Sequence, residues 1–250
     1  QGRVWIADFG NSRLRVFDSD GGFRGGWGGR GNGTFGLREP CGVAIHGEDL
    51  YIADTWNGRI QHFTLSGEWK QTAAGLYGPR GVAASRDGSI WVTDTGNNRI
   101  IHYDASLESL GIFGKNGSGP EEFSAPVGIA VGPSRAVYVA DAANKRIQVL
   151  DPAGQRVSEI RFPGWQEGSV EPHIAVGAGE ILYVTDPGQN KLIELDRAGT
   201  VRRQWTKDSD NKAFARPTGV AIDRKNAILY VVNSGSNSVA QIRLSERKTP

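Results

Sequence analysis

Methionine is absent from these 250 residues, cysteine occurs once and histidine four times. The lone Cys41 excludes an internal disulfide and leaves the redox compartment unread. No apolar run approaches the roughly 20 residues of a membrane-crossing helix, so no membrane insertion is expected of this stretch, although a parent protein could be anchored. Formal net charge is only +2, which gives no bulk attraction for a polyanion. Also missing are a GxSxG elbow, an HExxH pair and a GxxxxGK[ST] loop, each of which would announce a specific chemistry. No 3.6-residue periodicity runs through the apolar positions, which excludes stacked helical repeats. The chain begins at Gln1 with neither methionine nor a secretory leader, which suggests a processed protein or a piece of a longer one.

What is abundant is glycine, 35 residues of it, set in a recurring unit. The clearest copy is VTDTGNNRIIHYD, Val92 to Asp104. With Asp94 as reference, the matching positions are Asp8, Asp54, Asp94, Asp141, Asp186 and Asn233, separated by 46, 40, 47, 45 and 47 residues. That period is the size of a propeller blade. Five residues beyond each stand Arg13, Arg59, Arg99, Arg146, Lys191 and Ser238.

Each unit opens on a short aromatic-led run (VWIAD, LYIAD, IWVTD, VYVAD, LYVTD, LYVVN) that reads as a strand. A Gly/Asn-rich turn leads to a second strand, and turns such as DSDG and DPAG lead to a third, ending near Trp27, Ala73, Phe113, Ile160 and Trp205. A variable loop then closes at Pro40, Pro79, Pro126, Pro172 and Pro217, each introducing small and branched residues suited to an innermost strand. Four strands per unit and six units predict an all-β, six-bladed β-propeller spanning residues 1–250 as a single domain. The first unit lacks its innermost strand and the last its outermost, so three-stranded terminal blades are expected unless a parent chain supplies the missing strands.

VTDTGNNRI, VADAANKRI and IADTWNGRI, each followed by a glycine-rich loop, a proline and GVAI or GIAV, resemble NHL repeats across essentially the whole chain. The resemblance implies the propeller fold. For function it implies several classes: RNA-binding regulators, sensor domains, peptide-amidating lyases and surface domains of bacterial membrane proteins. LYVTDP and EPHIAVG are most similar to bacterial, extracytoplasmic versions.

The repeated Asp and Arg are read as a structural pair, because Asn233 and Ser238 replace both partners together in the sixth unit, and losing one alone would strand a buried charge. Arg59 is still kept as a ligand candidate beside Trp56. Trp56 replaces a small turn residue and Trp165 sits in FPGWQEGSVEP, and each is either an exposed stacking platform or loop packing. Cys41, Arg80, Val127, His173 and Thr218 follow the inter-blade prolines and are expected at the channel mouth. Ligand-binding candidates are therefore Trp56, Arg59, Arg80, Trp165 and His173.

Amidating lyases of this fold place zinc-binding histidines at inner-strand starts, and only His173 matches that placement. Cys41 falls on a blade three units away, too far to share an ion at bond lengths of about 2.0–2.3 Å. Neither metal nor cofactor is assigned; an Asp18–Gly22 calcium loop has few ligands. A single-stranded RNA face built on Arg30, Arg38, Arg59, Arg80 and Trp56 is opposed by Glu39, Glu121, Glu122, Glu167 and Glu171 in the same loops. The sequence thus favours a non-catalytic recognition or scaffolding module that binds a peptide, protein or glycan through the inter-blade loops, in an extracytoplasmic setting. A metal-dependent lyase or hydrolase near His173 and an RNA-binding face are the alternatives.

Overall fold

A computed structural model describes residues 2–161, 165 and 171–244. The chain is all-β with a six-bladed β-propeller fold, and it divides into two compact units, Gln1–Ala125 and Pro126–Pro250. Each unit carries three blades.

In the first unit, the first blade pairs Arg3–Asp8, Arg13–Asp18 and Phe23–Gly28 in sequence order. The second pairs Val43–His46, Asp49–Asp54, Arg59–Thr64 and Trp69–Ala74, and the third Val82–Ala84, Ile90–Asp94, Arg99–Tyr103 and Ser109–Phe113. In the second unit, the fourth blade runs Pro126–Val131, Val137–Asp141, Arg146–Leu150 and Arg156–Arg161. The fifth runs Ile174–Val176, Leu182–Asp186, Lys191–Leu195 and Val201–Trp205, and the sixth Pro217–Asp223, Ile228–Asn233 and Ser238–Arg243. Among the described residues every pairing between these strands is antiparallel, and the first and sixth sheets have three strands, as the repeat count predicts.

The registers explain the motif. Asp54 faces Arg59 across the hairpin, as Asp8 faces Arg13, Asp94 Arg99, Asp141 Arg146 and Asp186 Lys191. In the first four blades the turn between these partners is a single 3-10 turn ending on a left-handed residue, Ser12, Gly58, Asn98 or Lys145. The Asp-first turns at the other edge close as expected, Gly21 N–H donating to the Asp18 carbonyl at 3.0 Å. In the third blade Leu107 takes the glycine's place at φ 61°.

The cores lie between blades. Leu37, Leu76 and Phe214, each three residues before an inter-blade proline, pack in clusters with Leu14, Ile60 and Leu192 respectively. A loop side chain therefore plugs each of these three seams, which orders the loops that form the candidate binding edge. Inner strands come so close that a Cβ on Gly42 would lie 2.5 Å from the Arg80 carbonyl oxygen, and one on Gly128 2.6 Å from that of Pro172. The side-chain-free residue at these points follows from that approach.

Candidate functional site

The inter-blade loops and the first hairpin turns occupy the same edge in each unit, because they hydrogen-bond to one another. Trp56 N–H donates to the Arg38 carbonyl at 3.1 Å, Gly96 N–H to that of Tyr77 at 2.8 Å, and Gly235 N–H to that of Ala215 at 3.0 Å.

Under this edge the Asp carboxylates serve as anchors. Asp54 is fully buried and accepts from Arg59 Nε at 2.7 Å, Asn57 Nδ2 at 2.8 Å, Gln61 Nε2 at 3.3 Å and the Arg38 backbone N–H at 2.7 Å. The rest of the Arg59 guanidinium is turned inward as well. Nη1 donates to the Asn32 carbonyl at 3.0 Å, and Nη2 to those of Gly33 and Gly36 at 2.8 Å each. A planar fork can satisfy a carboxylate and a loop backbone at once. This removes Arg59 from the groups offered to a ligand: it folds the loop over the second blade.

The Asp–Arg pairing recurs at 2.7–2.8 Å in the first, third and fourth blades. The fifth departs from it. Lys191 Nζ donates to Gln189 Oε1 at 3.0 Å, while the buried Asp186 Oδ2 has no partner among the described residues. Burial raises the Asp186 pKa, and the backbone N–H of Gln189 and the charge of Lys191 only partly offset it.

Trp56 stands on its turn with 46% of its surface exposed, and Tyr77, on the next loop, is 61% exposed. Phe9 on the first turn and Phe35 in the first loop are exposed too. Sequence reasoning missed Phe9, Phe35 and Tyr77. The available signal was a large aromatic at a loop position where sister repeats carry small or polar residues. Tyr77 lies against Gly96, the counterpart of Trp56, where an added Cβ would come within 2.3 Å of the ring.

Trp165 does not belong to this set. It is 1% exposed, packs with Ile147, Ile160 and Val184, and its indole N–H donates to the Thr185 carbonyl at 3.3 Å. It occupies the seam that Leu37, Leu76 and Phe214 fill elsewhere. The open choice between platform and packing resolves to packing, because the fifth blade's loop must supply a seam plug as the others do.

The residues after the inter-blade prolines fall at inner-strand starts. In the first unit Cys41 and Arg80 are neighbours. The Cys41 thiol pKa is raised by burial, with Thr55 and the Arg80 guanidinium acting in the opposite direction. In the second unit Val127 is buried, while His173 and Thr218 are half-buried. His173 is held through its backbone, donating to Thr185 Oγ1 at 2.8 Å and accepting from Thr185 N–H at 3.0 Å. Among the described residues no three His, Cys, Asp or Glu side chains converge to hold a metal. In the loop considered for calcium, Asp18 instead pairs with Arg24 at 2.5 Å. Glu167 lies outside the described residues.

The repeat, its register and the seam plugs define an NHL-type β-propeller. Within that class the chain belongs to the virginiamycin B lyase family, whose profile matches residues 38–249. The human NHL repeat-containing protein 3 is 27% identical over 176 residues, covering 60% of this chain and 49% of the relative. The chain thus spans about half the length of that relative and of its mouse counterpart. A probable peptidyl-alpha-hydroxyglycine alpha-amidating lyase of Caenorhabditis elegans is 33% identical over 93 residues, 35% of this chain and 27% of that protein. Among solved structures, a streptogramin B lyase superposes with TM-score 0.69 at 18% identity, covering 96% of this chain and 75% of the other. A catalytically inactive virginiamycin B lyase from Staphylococcus aureus with quinupristin gives TM-score 0.68 at 19% identity, covering 97% and 77%. At such identities the likeness is one of fold.

Proposed function

We propose that the chain is a recognition module that binds a peptide, protein or glycan through the loop-bearing edge, with the first unit supplying the aromatic contacts. The observation that carries this reading is the exposure of Trp56 and Tyr77 on turns whose backbones are pinned by hydrogen bonds. Rigid, half-exposed aromatics cost little entropy to use and offer both an apolar face and a polar tip. Arg80, at the neighbouring inner-strand start, adds a cation to the same region. Glycan and peptide arrays would supply a ligand. Trp56→Ala with Tyr77→Ala should then weaken binding at least tenfold while the melting temperature stays within about 2 °C, since neither ring is a seam plug. Unchanged affinity would place the contact elsewhere.

Family membership favours a second reading, a lyase acting near His173, the one histidine at an inner-strand start. Incubation with quinupristin, with and without added divalent metal, discriminates the two. Conversion that disappears in His173→Ala would establish the enzyme reading. Absence of conversion, together with an array hit sensitive to Trp56, would favour recognition.

A further inference from the structure

We propose that the groove between the fifth and sixth blades, at the edge opposite the loops, binds a small carboxylate with an apolar body. The groove lies wholly in the second unit, is open to solvent on one side and offers about 450 Å³, within the range of small-molecule sites. Tyr183 marks its depth, three residues and thus about 10 Å along the strand from Asp186 at the loop-bearing edge.

Its charge is one-sided. Arg202, Arg203 and Arg224 line it against a single carboxylate, Glu194. Two of the guanidinium groups are loosely held: Arg202 reaches Asp196 only at 3.5 Å, and Arg203 reaches Glu194 only at 3.9 Å while leaning over the Trp205 ring at 5.3 Å. Both side chains are about two-fifths exposed, at 36% and 42%. Arg224 is fixed, donating to the Val176 carbonyl at 2.7 Å. The walls are apolar. Ile181, Ile222 and Leu244 pack against the sixth-blade core and turn their remaining surface to the groove.

The neighbouring seam shows what such a groove accepts. Between the fourth and fifth blades, the Glu180 carboxylate enters the corresponding place, accepting from the Tyr138 hydroxyl at 2.8 Å and the Ser134 backbone N–H at 2.7 Å. Tyr183 is the fifth blade's counterpart of Tyr138. The sixth blade sends Arg224 into the fifth–sixth groove, whereas the fifth sends Glu180 into the neighbouring one, so this groove gains a cation where its neighbour gains a carboxylate, and Glu194 is left facing three arginines. A guanidinium fork matches a carboxylate bidentately, and the apolar walls take the rest of the ligand.

Calorimetric titration of the whole chain with octanoate, octanamide and octyltrimethylammonium, all below micelle-forming concentrations, tests this. Octanoate should bind saturably with one site per chain and at least tenfold more tightly than either analogue. Arg202→Ser combined with Arg203→Ser should weaken octanoate at least tenfold; both side chains are exposed enough for the fold to survive, as a melting curve would verify. In the unaltered chain, raising the salt from 0.05 to 0.5 M should weaken octanoate and leave octanamide unmoved. Absence of saturable octanoate binding, equal affinity for octanamide, or an unchanged constant in the double variant would each overturn the proposal.

Discussion

The second and fifth blades present the same carboxylate at the same register and solve its burial differently. Asp54 meets an arginine that holds it with one nitrogen and the overlying loop with two others; Asp186 meets a lysine drawn away to Gln189. The contrast teaches that in the second blade the pair is a loop-fastening device more than an ion pair. Its strength lies in the fork, which an ammonium cannot reproduce.

Several substitutions would break or sharpen this contrast. Asp54→Ala strands a largely buried guanidinium and should cost about 3–5 kcal/mol in denaturant unfolding. Asp186→Asn should change stability by less than about 1 kcal/mol, because the sixth blade already uses Asn233 in that place, with its Oδ1 accepting from Ala215 N–H at 3.3 Å. Near-equal losses from the two would dissolve the distinction. Arg59→Lys keeps the charge yet loses the fork, for an expected cost of about 2 kcal/mol and faster hydrogen exchange in residues 32–36. Lys191→Arg, the reverse experiment, should gain about 1 kcal/mol by giving Asp186 Oδ2 a donor.

The smallest effect is one of pH, and its sign separates the blades. The Asp186 pKa is raised above its ordinary 3.8, so in the window just above that value the folded chain holds the proton more tightly than the unfolded one. The Asp186 contribution to stability therefore falls as pH rises through the window. Asp8 behaves oppositely. Burial alone would raise its pKa, but hydrogen bonds from Arg13 and Asn11 outweigh burial and lower it. Its stabilising contribution is present above 3.8 and is lost as pH falls through the folded value. Unfolding curves between pH 3 and 6 for Asp186→Asn and Asp8→Asn should deviate from the parent in opposite directions.

Much of this was readable beforehand because the repeat is periodic. Strand ends, inter-blade prolines and three-stranded terminal sheets follow from spacing, and joint loss of Asp and Arg in the sixth unit signalled their pairing. What escaped was the content of the loops, where spacing drifts. Trp165 lies seven residues before its proline, whereas Leu37, Leu76 and Phe214 lie three before theirs, so its role as a plug was masked by loop length. Tyr77, two residues before its proline where other loops carry Arg38, Ser124 and Ala215, did stand out by residue type. Arg59 looked like a surface group because its carbonyl partners, 23 to 27 residues upstream, leave no trace in residue type.

Each proline that opens an inner strand follows a residue with positive φ: Glu39 at 51°, Gly78 at 57°, Ala125 at 48°, Glu171 at 73° and Arg216 at 49°. The twist aims backbone N–H groups both ways. Glu39 N–H donates to Ser12 of the first blade while Arg38 N–H donates to Asp54 of the second; Arg216 and Ala215 do the same for Asn190 and Asn233. Two contacts, one to each neighbouring blade, thus pass through two adjacent peptide groups at each of these two seams. Blades coupled in this way behave like links in a zipper whose teeth open only together, so local fraying at one seam carries an energetic penalty into the next. Protection from amide exchange should therefore fall in blocks that span coupled blades within each unit, with the residues preceding the prolines exchanging in step with the strands on either side.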